Sequence, residues 1–304
     1  MYTCMLNEIQ THEWHAEFSS EIQSLSINTI ENGHILFFPR LAFTLLPHEE
    51  KFLSSRYSDP KIKNISFNRN THLLRGVCSE DNICNELTEM MRRFACYAEK
   101  LIQNLLSSYS PSLCIGRTSF RPMEISGRIS SYRKDDTRLH VDAFPATPNQ
   151  GRRILRVFTN INPHGQARVW RIGEPFVDVA KRFLPRVSNA WKGKARLLKM
   201  LKITKSYRTE YDHIMLQIHD KMKADLIYQQ TVPQTEVRFA PGTSWIVQTD
   251  HVSHAAMAGQ YVLEQTFYLP VSAMINPALS PLHTLEKLVG RKLVNSHAER
   301  TIVC

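Results

Sequence analysis

The sequence predicts a mainly β protein with flanking helices, its strands forming a closed or double-layered antiparallel core with one long helix outside. The stretch Arg152-Arg-Ile-Leu-Arg-Val-Phe-Thr-Asn-Ile-Asn-Pro163 alternates over much of its length. Ile154, Arg156, Phe158 and Asn160 share one side, and Leu155, Val157, Thr159 and Ile161 the other, which is the period of a strand. Between about 81 and 107, Leu87, Met90, Met91, Phe94, Tyr97, Ala98, Leu101, Ile102 and Leu105 recur every three or four residues. Such a stripe marks a helix laid against a sheet. Finally, His140-Val-Asp142 and a distant histidine pair, His251 and His254, ask several strands to return to one point.

In chain order, Gly33-His-Ile-Leu-Phe-Phe-Pro39 reads as a short buried strand ended by proline. Leu46-Pro-His-Glu-Glu-Lys-Phe-Leu53 opens like a helix, with proline near its start. Together with the long helix it makes the segment from about 40 to 110 a helical leading region. Leu113 to Phe120, Ile129 to Tyr132 and Ile154 to Ile161 are strand candidates. The segment from about 176 to 236 is a basic, helical insertion. Lysines and arginines crowd between Lys181 and Arg208, and apolar residues are interleaved, giving a cationic amphipathic helix around Lys192 to Thr204. A second helix covers Tyr211 to Tyr228. Ser244 to Gln248 and Gln260 to Leu269 read as strands, separated by His254 to Gly259, and Pro281 to Val294 as a closing helix.

The chain has 304 residues and is 42% hydrophobic, enough for one large core, so residues 1–304 are read as a single domain. Its 38 Lys and Arg exceed 28 Asp and Glu, giving +10. That excess favours an anionic partner: lipid, an acidic sugar or nucleic acid. No nucleic-acid motif or regular aromatic array accompanies it. The six cysteines form no Cys-x-x-Cys pair and are expected to be reduced thiols. No secretory signal and no transmembrane run are expected.

On an extended backbone His140 and Asp142 point to one side, as two-thirds of the ligand set that leaves ferrous iron with open positions. Alone, the pair would read better as an Asp–His hydrogen-bonded pair or a surface turn. His251 and His254 are three apart and therefore face opposite ways on a strand. The small Ala255 and Ala256 leave room beside a metal and favour His254. Arg156 is an arginine in a core-like strand; it needs either a structural salt bridge or a bound carboxylate, which guanidinium grips with two parallel bonds.

The runs Ser131-Tyr-Arg-Lys-Asp-Asp-Thr-Arg-Leu-His-Val-Asp-Ala-Phe-Pro145 and Gly151 to Pro163, with Trp170-Arg-Ile-Gly-Glu-Pro175 and the Gly242 to Pro270 region, closely resemble Kdo 3-hydroxylases. Those enzymes are iron(II)/2-oxoglutarate-dependent dioxygenases that act on 3-deoxy-D-manno-octulosonic acid (Kdo) in the inner core of bacterial lipopolysaccharide. The resemblance implies a double-stranded β-helix (jelly-roll, cupin-like) core. It implies His140, Asp142 and His254 on Fe(2+), with 2-oxoglutarate and O2 as co-substrates and ascorbate as reductant in vitro. Many relatives of the wider superfamily carry a basic anchor shortly after the distal histidine; here that neighbourhood holds Gln265 and no Arg or Lys. Arg156 becomes the anchor candidate, with Asn160, Tyr132 and Gln265 as further pocket residues. Arg138, Arg128, Arg133, Arg152 and Arg153 are candidates for contacts to the substrate's anionic groups. The activity implied is hydroxylation of Kdo at C3 in Kdo-lipid A, forming D-glycero-D-talo-oct-2-ulosonic acid (Ko). The setting implied is the bacterial cytoplasm, with peripheral contact to an anionic inner-membrane surface. The competing readings are a 2-oxoglutarate hydroxylase of another small molecule or protein, and a non-catalytic cupin-like or nucleic-acid-binding protein.

Overall fold

The structure, a computed structural model, describes residues 6–59, 62, 64–77, 81–188, 195, 199–201 and 203–294. Its strands are β1 (Leu6–Glu8), β2 (Ile35–Phe38), β3 (Ile65–Asn68), β4 (Leu73–Arg75), β5 (Cys114–Arg121), β6 (Arg153–Asn160), β7 (Arg168–Ile172), β8 (Thr235–Phe239), β9 (Ser244–Gln248), β10 (His254–Ala258) and β11 (Val262–Leu269). Eight of them form one sheet in the order β1-β2-β9-β6-β11-β5-β3-β4, and three form a second, β10-β7-β8. All pair antiparallel except β1 with β2. The helices are α1 (Ser20–Glu31), α2 (Asp81–Leu105), α3 (Phe176–Phe183), α4 (Glu210–Ala224), α5 (Leu226–Thr231) and α6 (Pro281–Val289).

Alternation along the strands sorts the core into two layers. Ile65, Phe120, Leu263, Leu155, Val157 and Ile246 face the helices, where the α2 stripe of Leu87, Met90, Met91, Phe94, Ala98, Leu101, Ile102 and Leu105 buries itself. Phe158, Trp245, Val247 and Val262 face the small sheet and meet Trp170, Ile172, Val237 and Phe239. Trp245 stacks on Phe239 with centroids 4.0 Å apart and on Phe158 at 5.1 Å, with Trp170 edge-on at 5.7 Å. Each such ring pair adds about 0.5–1.5 kcal/mol beyond burial. This plug fills the space between the sheets and floors the site beside it. Two facing sheets with helices on the outer face are the expected double-stranded β-helix arrangement.

Several local expectations are corrected. Ile129 to Tyr132 is not a strand: it finds no partner, Ile129 is 99% exposed, and a 3-10 turn follows at Tyr132–Lys134. His254 to Ala258 is a strand rather than a separator; its alanines carry little β signal, and pairing with β7 decides. The helix expected over Tyr211 to Tyr228 breaks at Asp225, whose side chain accepts from Tyr228 N–H and starts α5. Pro47–Phe52 is a 3-10 helix. The amphipathic helix expected around Lys192 to Thr204 lies largely outside the described residues. Cys114 is disulfide-bonded, against the expectation of reduced thiols. Among the described residues, Cys84 and Cys96 carry no disulfide.

Candidate active site

His140 and His254 are brought together by the backbone before any side chain acts. The two residues form an isolated antiparallel bridge, with His140 N–H donating to the His254 carbonyl at 3.0 Å and His254 N–H to the His140 carbonyl at 2.9 Å. Asp142 N–H donates to the Thr249 carbonyl at 2.8 Å, which fixes the segment two residues on. One ligand atom from each of His140, Asp142 and His254 then lies within 4.8 Å of the other two. His140 Nε2 stands 3.6 Å from Asp142 Oδ1, a spacing that suits ligands about 2 Å from a shared ion.

The donor atoms fit a metal. Each imidazole Nδ1 lies 2.8 Å from a backbone carbonyl, Arg138 for His140 and Val252 for His254. Nδ1 therefore carries the proton and Nε2 presents its lone pair, as metal-binding histidines do. Burial holds both imidazoles below their ordinary pKa, helped at His140 by His254, Lys223 and His219, so both are neutral and able to ligate. Burial alone would raise the Asp142 carboxyl, but the Arg156 guanidinium outweighs it and holds it well below the usual range. Its Oδ2 is buried with no hydrogen-bond donor aligned on it. Trp170 stacks on His254 at 5.0 Å and sets its ring plane.

A cavity of about 60 Å³ opens on this cluster, lined also by Arg121, Asp136, Arg156, Phe158, Arg168, Trp170 and Ala256. Two of its three guanidiniums are compensated. Arg156 lies 3.0 Å from Asp142 Oδ2 and 3.3 Å from Glu264 Oε1, and Arg121 pairs with Glu264. Arg168 is different. It is 3% exposed, donates through Nη1 to the Gly259 carbonyl at 2.8 Å, and its Nε has no partner. Burial, then neighbouring Arg121, pull its pKa down to about 9. Gly259, at φ +102°, is required here: a Cβ would come within 2.9 Å of the Arg168 Cα.

A family model for 3-deoxy-D-manno-oct-2-ulosonic acid (Kdo) hydroxylase matches residues 13–292. The chain belongs to the Kdo hydroxylase family. Among solved structures it is similar to a Kdo hydroxylase, described as a non-heme Fe(II) alphaketoglutarate-dependent dioxygenase, in complex with cobalt(II). That match has 48% identity and a TM-score of 0.93, covering 96% of this chain and 98% of the other. A Kdo hydroxylase structure with alphaketoglutarate and Fe(III) matches at 47% identity and a TM-score of 0.92, covering 98% of this chain and 100% of the other. One with succinate and Fe(III) matches at 48% identity and 0.92, covering 96% and 98%. A comparison with curated proteins finds no match.

In this Kdo hydroxylase family member the remaining sequence candidates scatter. Only Arg156 joins the metal cluster. Asn160, on the same strand, spends its amide on the Gln166 and Phe239 carbonyls. Gln265 pairs in register with Val157, on the opposite face of the sheet, and bonds to Thr118. Arg153 also points to that face, fully buried against Asp250 at 2.7 Å. Tyr132 lies under the Arg133 guanidinium, and Arg133 pairs with Asp220 on α4. Arg138 joins Asp135 at 3.1 Å and the Lys223 carbonyl at 2.7 Å, and Arg128 is exposed. Arg152 leans on the Tyr268 ring at 5.1 Å. His251 is half-buried against Phe176 and Gly33, apart from the cluster. Sequence reasoning missed Arg168, Arg121 and Glu264. Arg121 and Arg168 occupy strand positions whose arginines, like Arg156, demand a partner, and that signal was available.

Proposed function

We propose that this enzyme hydroxylates Kdo at C3 in Kdo-lipid A, forming Ko, as an iron(II)/2-oxoglutarate-dependent dioxygenase. The carrying observation is the buried His140–Asp142–His254 cluster beside an arginine-lined cavity, in a chain that aligns end to end with Kdo hydroxylases. When bound, iron(II) and 2-oxoglutarate supply oxygen activation: one oxygen atom enters the substrate C–H bond, and the other leaves in succinate alongside carbon dioxide. The chain supplies position and charge.

His140 and His254 would hold the iron through Nε2, and Asp142 through a carboxylate oxygen. Arg156, between Asp142 and Glu264, orients the ligand carboxylate. Arg168 would hold the far carboxylate of 2-oxoglutarate, because a free anion gains most at a cation with no carboxylate at ion-pair distance. Arg156, the anchor expected from sequence, is already held by two carboxylates. Phe158 and Trp170 keep water from that end of the cavity. We read residues 1–304 as one dioxygenase domain. No described helix is long and apolar enough to cross a membrane, so contact with a lipid-linked substrate is proposed to be peripheral, through the basic insertion.

Purified protein with iron(II), 2-oxoglutarate, ascorbate and Kdo-lipid A is expected to release a sugar heavier by one oxygen in mass spectrometry, with the label taken from 18O2. Succinate formed with another acceptor, and none with Kdo, would keep the enzyme class and reject the substrate.

A further inference from the structure

A row of directly opposed residues crosses the large sheet from its β4 edge: Arg75, then Ser66, Ser119 and Glu264. Opposed residues share a face, so Arg75 projects from the face that carries Glu264 and Arg156. Three strand spacings separate Arg75 from Glu264, about 14 Å. Arg117, two residues before Ser119, lies within electrostatic reach of Tyr268 and Lys205. Arg152 covers the Tyr268 ring. The segment leading into α4 closes over this place. Lys205 N–H donates to the Ala146 carbonyl at 3.0 Å, and the Arg208 guanidinium to the Pro145 carbonyl. Pro145 and Ala146 follow the metal-site residue Asp142 by three and four positions, so the cluster borders the approach to the metal site.

None of these five cations enters an ion pair with a described residue. Elsewhere the chain pairs its arginines freely, as at Arg69, Arg93, Arg121, Arg182 and Arg291. Asp212 is the one carboxylate shown acting on Arg152 and Arg208, and five cations held against a single carboxylate are unfavourable. Lys205 registers it: burial, then Arg117 and Arg75, push its ammonium below the ordinary value. Four segments far apart in sequence contribute, so the cluster belongs to the fold and is not a local run of basic residues.

We propose that Arg75, Arg117, Arg152, Lys205 and Arg208 form a phosphate subsite that holds a phosphate group of the lipid-linked substrate while its Kdo lies at the metal centre. The proposal rests on Kdo-lipid A as substrate and names how that substrate is gripped. A doubly charged phosphate matches several guanidiniums through short charge-assisted bonds, and its distance from the reacting carbon lets it select for the lipid-linked form.

The test uses the full chain loaded with iron. Arg75 and Lys205 are exposed, so Arg75→Glu, Lys205→Glu and the double variant should fold. KM and kcat are measured on Kdo-lipid A and on the same lipid after phosphatase treatment. Wild-type KM should be at least about tenfold lower for the phosphorylated lipid, since one charge-assisted contact is worth that much. The double variant should lose most of this preference, with kcat and the KM for dephosphorylated lipid within about twofold of wild type. Equal wild-type KM values, or equal losses on both lipids, would overturn the subsite. Pyrophosphate binding followed by calorimetry is a second readout, independent of turnover. Wild type should bind it and the double variant at least about tenfold more weakly; unchanged binding would sink the proposal even if neither lipid were hydroxylated, a failure that by itself would count only against the Kdo reading. Binding to phosphatidylglycerol vesicles, with no KM difference between the lipids, would assign the cations to the bilayer and overturn the subsite.

Discussion

Replacing Arg168 with methionine should stabilise the ligand-free protein and remove its grip on 2-oxoglutarate. The guanidinium is 3% exposed, with no carboxylate at ion-pair distance among the described residues and Arg121 as a like-charged neighbour. A pKa pulled down from the ordinary arginine value to about 9 corresponds to about 5 kcal/mol of disfavoured charge at neutral pH. Against this, methionine forfeits the bond to the Gly259 carbonyl, a charged-donor bond worth about 1.5–3 kcal/mol. Methionine fills similar volume, so little cavity cost is added. The net expectation is a ligand-free variant more stable by about 2–3.5 kcal/mol, in the range seen when unfavourably buried charges give way to apolar residues. The ligand response should move the other way. At a hundredfold excess over its Kd, 2-oxoglutarate should stabilise the wild-type iron complex by about 2.7 kcal/mol, and the variant by almost nothing. Anaerobic urea unfolding of both proteins, with and without the ligand, measures all four quantities. Arg168→Met less stable than wild type without ligand, or with the ligand response intact, would refute the reasoning. Arg156→Met gives the contrast: it strands Asp142, leaves Glu264 to Arg121 alone, and should cost about 3–5 kcal/mol.

Two further outcomes are expected. His254→Ala should abolish turnover and tight iron(II) binding, while His251→Ala, whose ring packs on Phe176 and Gly33, should keep iron affinity within a few-fold. The opposite ranking in anaerobic iron titrations would reassign the distal ligand. Burial alone would raise the Glu264 carboxyl, but Arg121 and Arg156 hold it below its ordinary value. A depressed folded pKa adds stability above the unfolded value of about 4.3 and loses it as pH falls through the folded one. Glu264→Gln should therefore be less stable than wild type at neutral pH, with the gap closing in acid. A gap independent of pH between 7 and 3 would contradict the ion-pair assignment.

Much of the site was legible because it depends on spacing. His140 and Asp142 are a two-residue period, and the small residues after His254 mark a place where bulk is excluded. The long α2 stripe and the alternation of β6 were equally plain. What escaped were elements whose identity comes from partners. Leu73–Arg75 and Arg168–Ile172 are short strands with little periodicity, fixed by their neighbours in the sheets. Gln265 and Arg153 were misjudged as pocket neighbours for a related reason. Proximity in sequence to a site residue gives no face, and a one-residue step along a strand turns the side chain to the other side of the sheet. Arg168 was passed over because its importance lies in what it lacks, a partner carboxylate, and that is visible only once its surroundings are known.

The three guanidiniums around the cavity, Arg121, Arg156 and Arg168, face three carboxylates, Asp136, Asp142 and Glu264. The site is therefore neutral in sum although not in place, since Arg168 has none of these acids at ion-pair distance while Arg121 and Arg156 do. A ferrous ion would tip this balance by two positive charges, and 2-oxoglutarate, a dianion, would restore it. Each ligand thus makes the other's arrival more favourable, and linkage requires the two effects to be equal. Succinate is a dianion as well, so turnover leaves the balance unchanged and charge alone gives no push to product release. What changes is the keto-acid end, whose carboxylate leaves as carbon dioxide while the keto carbon becomes the new carboxylate. Exchange of succinate for fresh co-substrate would then be decided by that end of the molecule, and a protein starved of 2-oxoglutarate would tend to sit with its product in place.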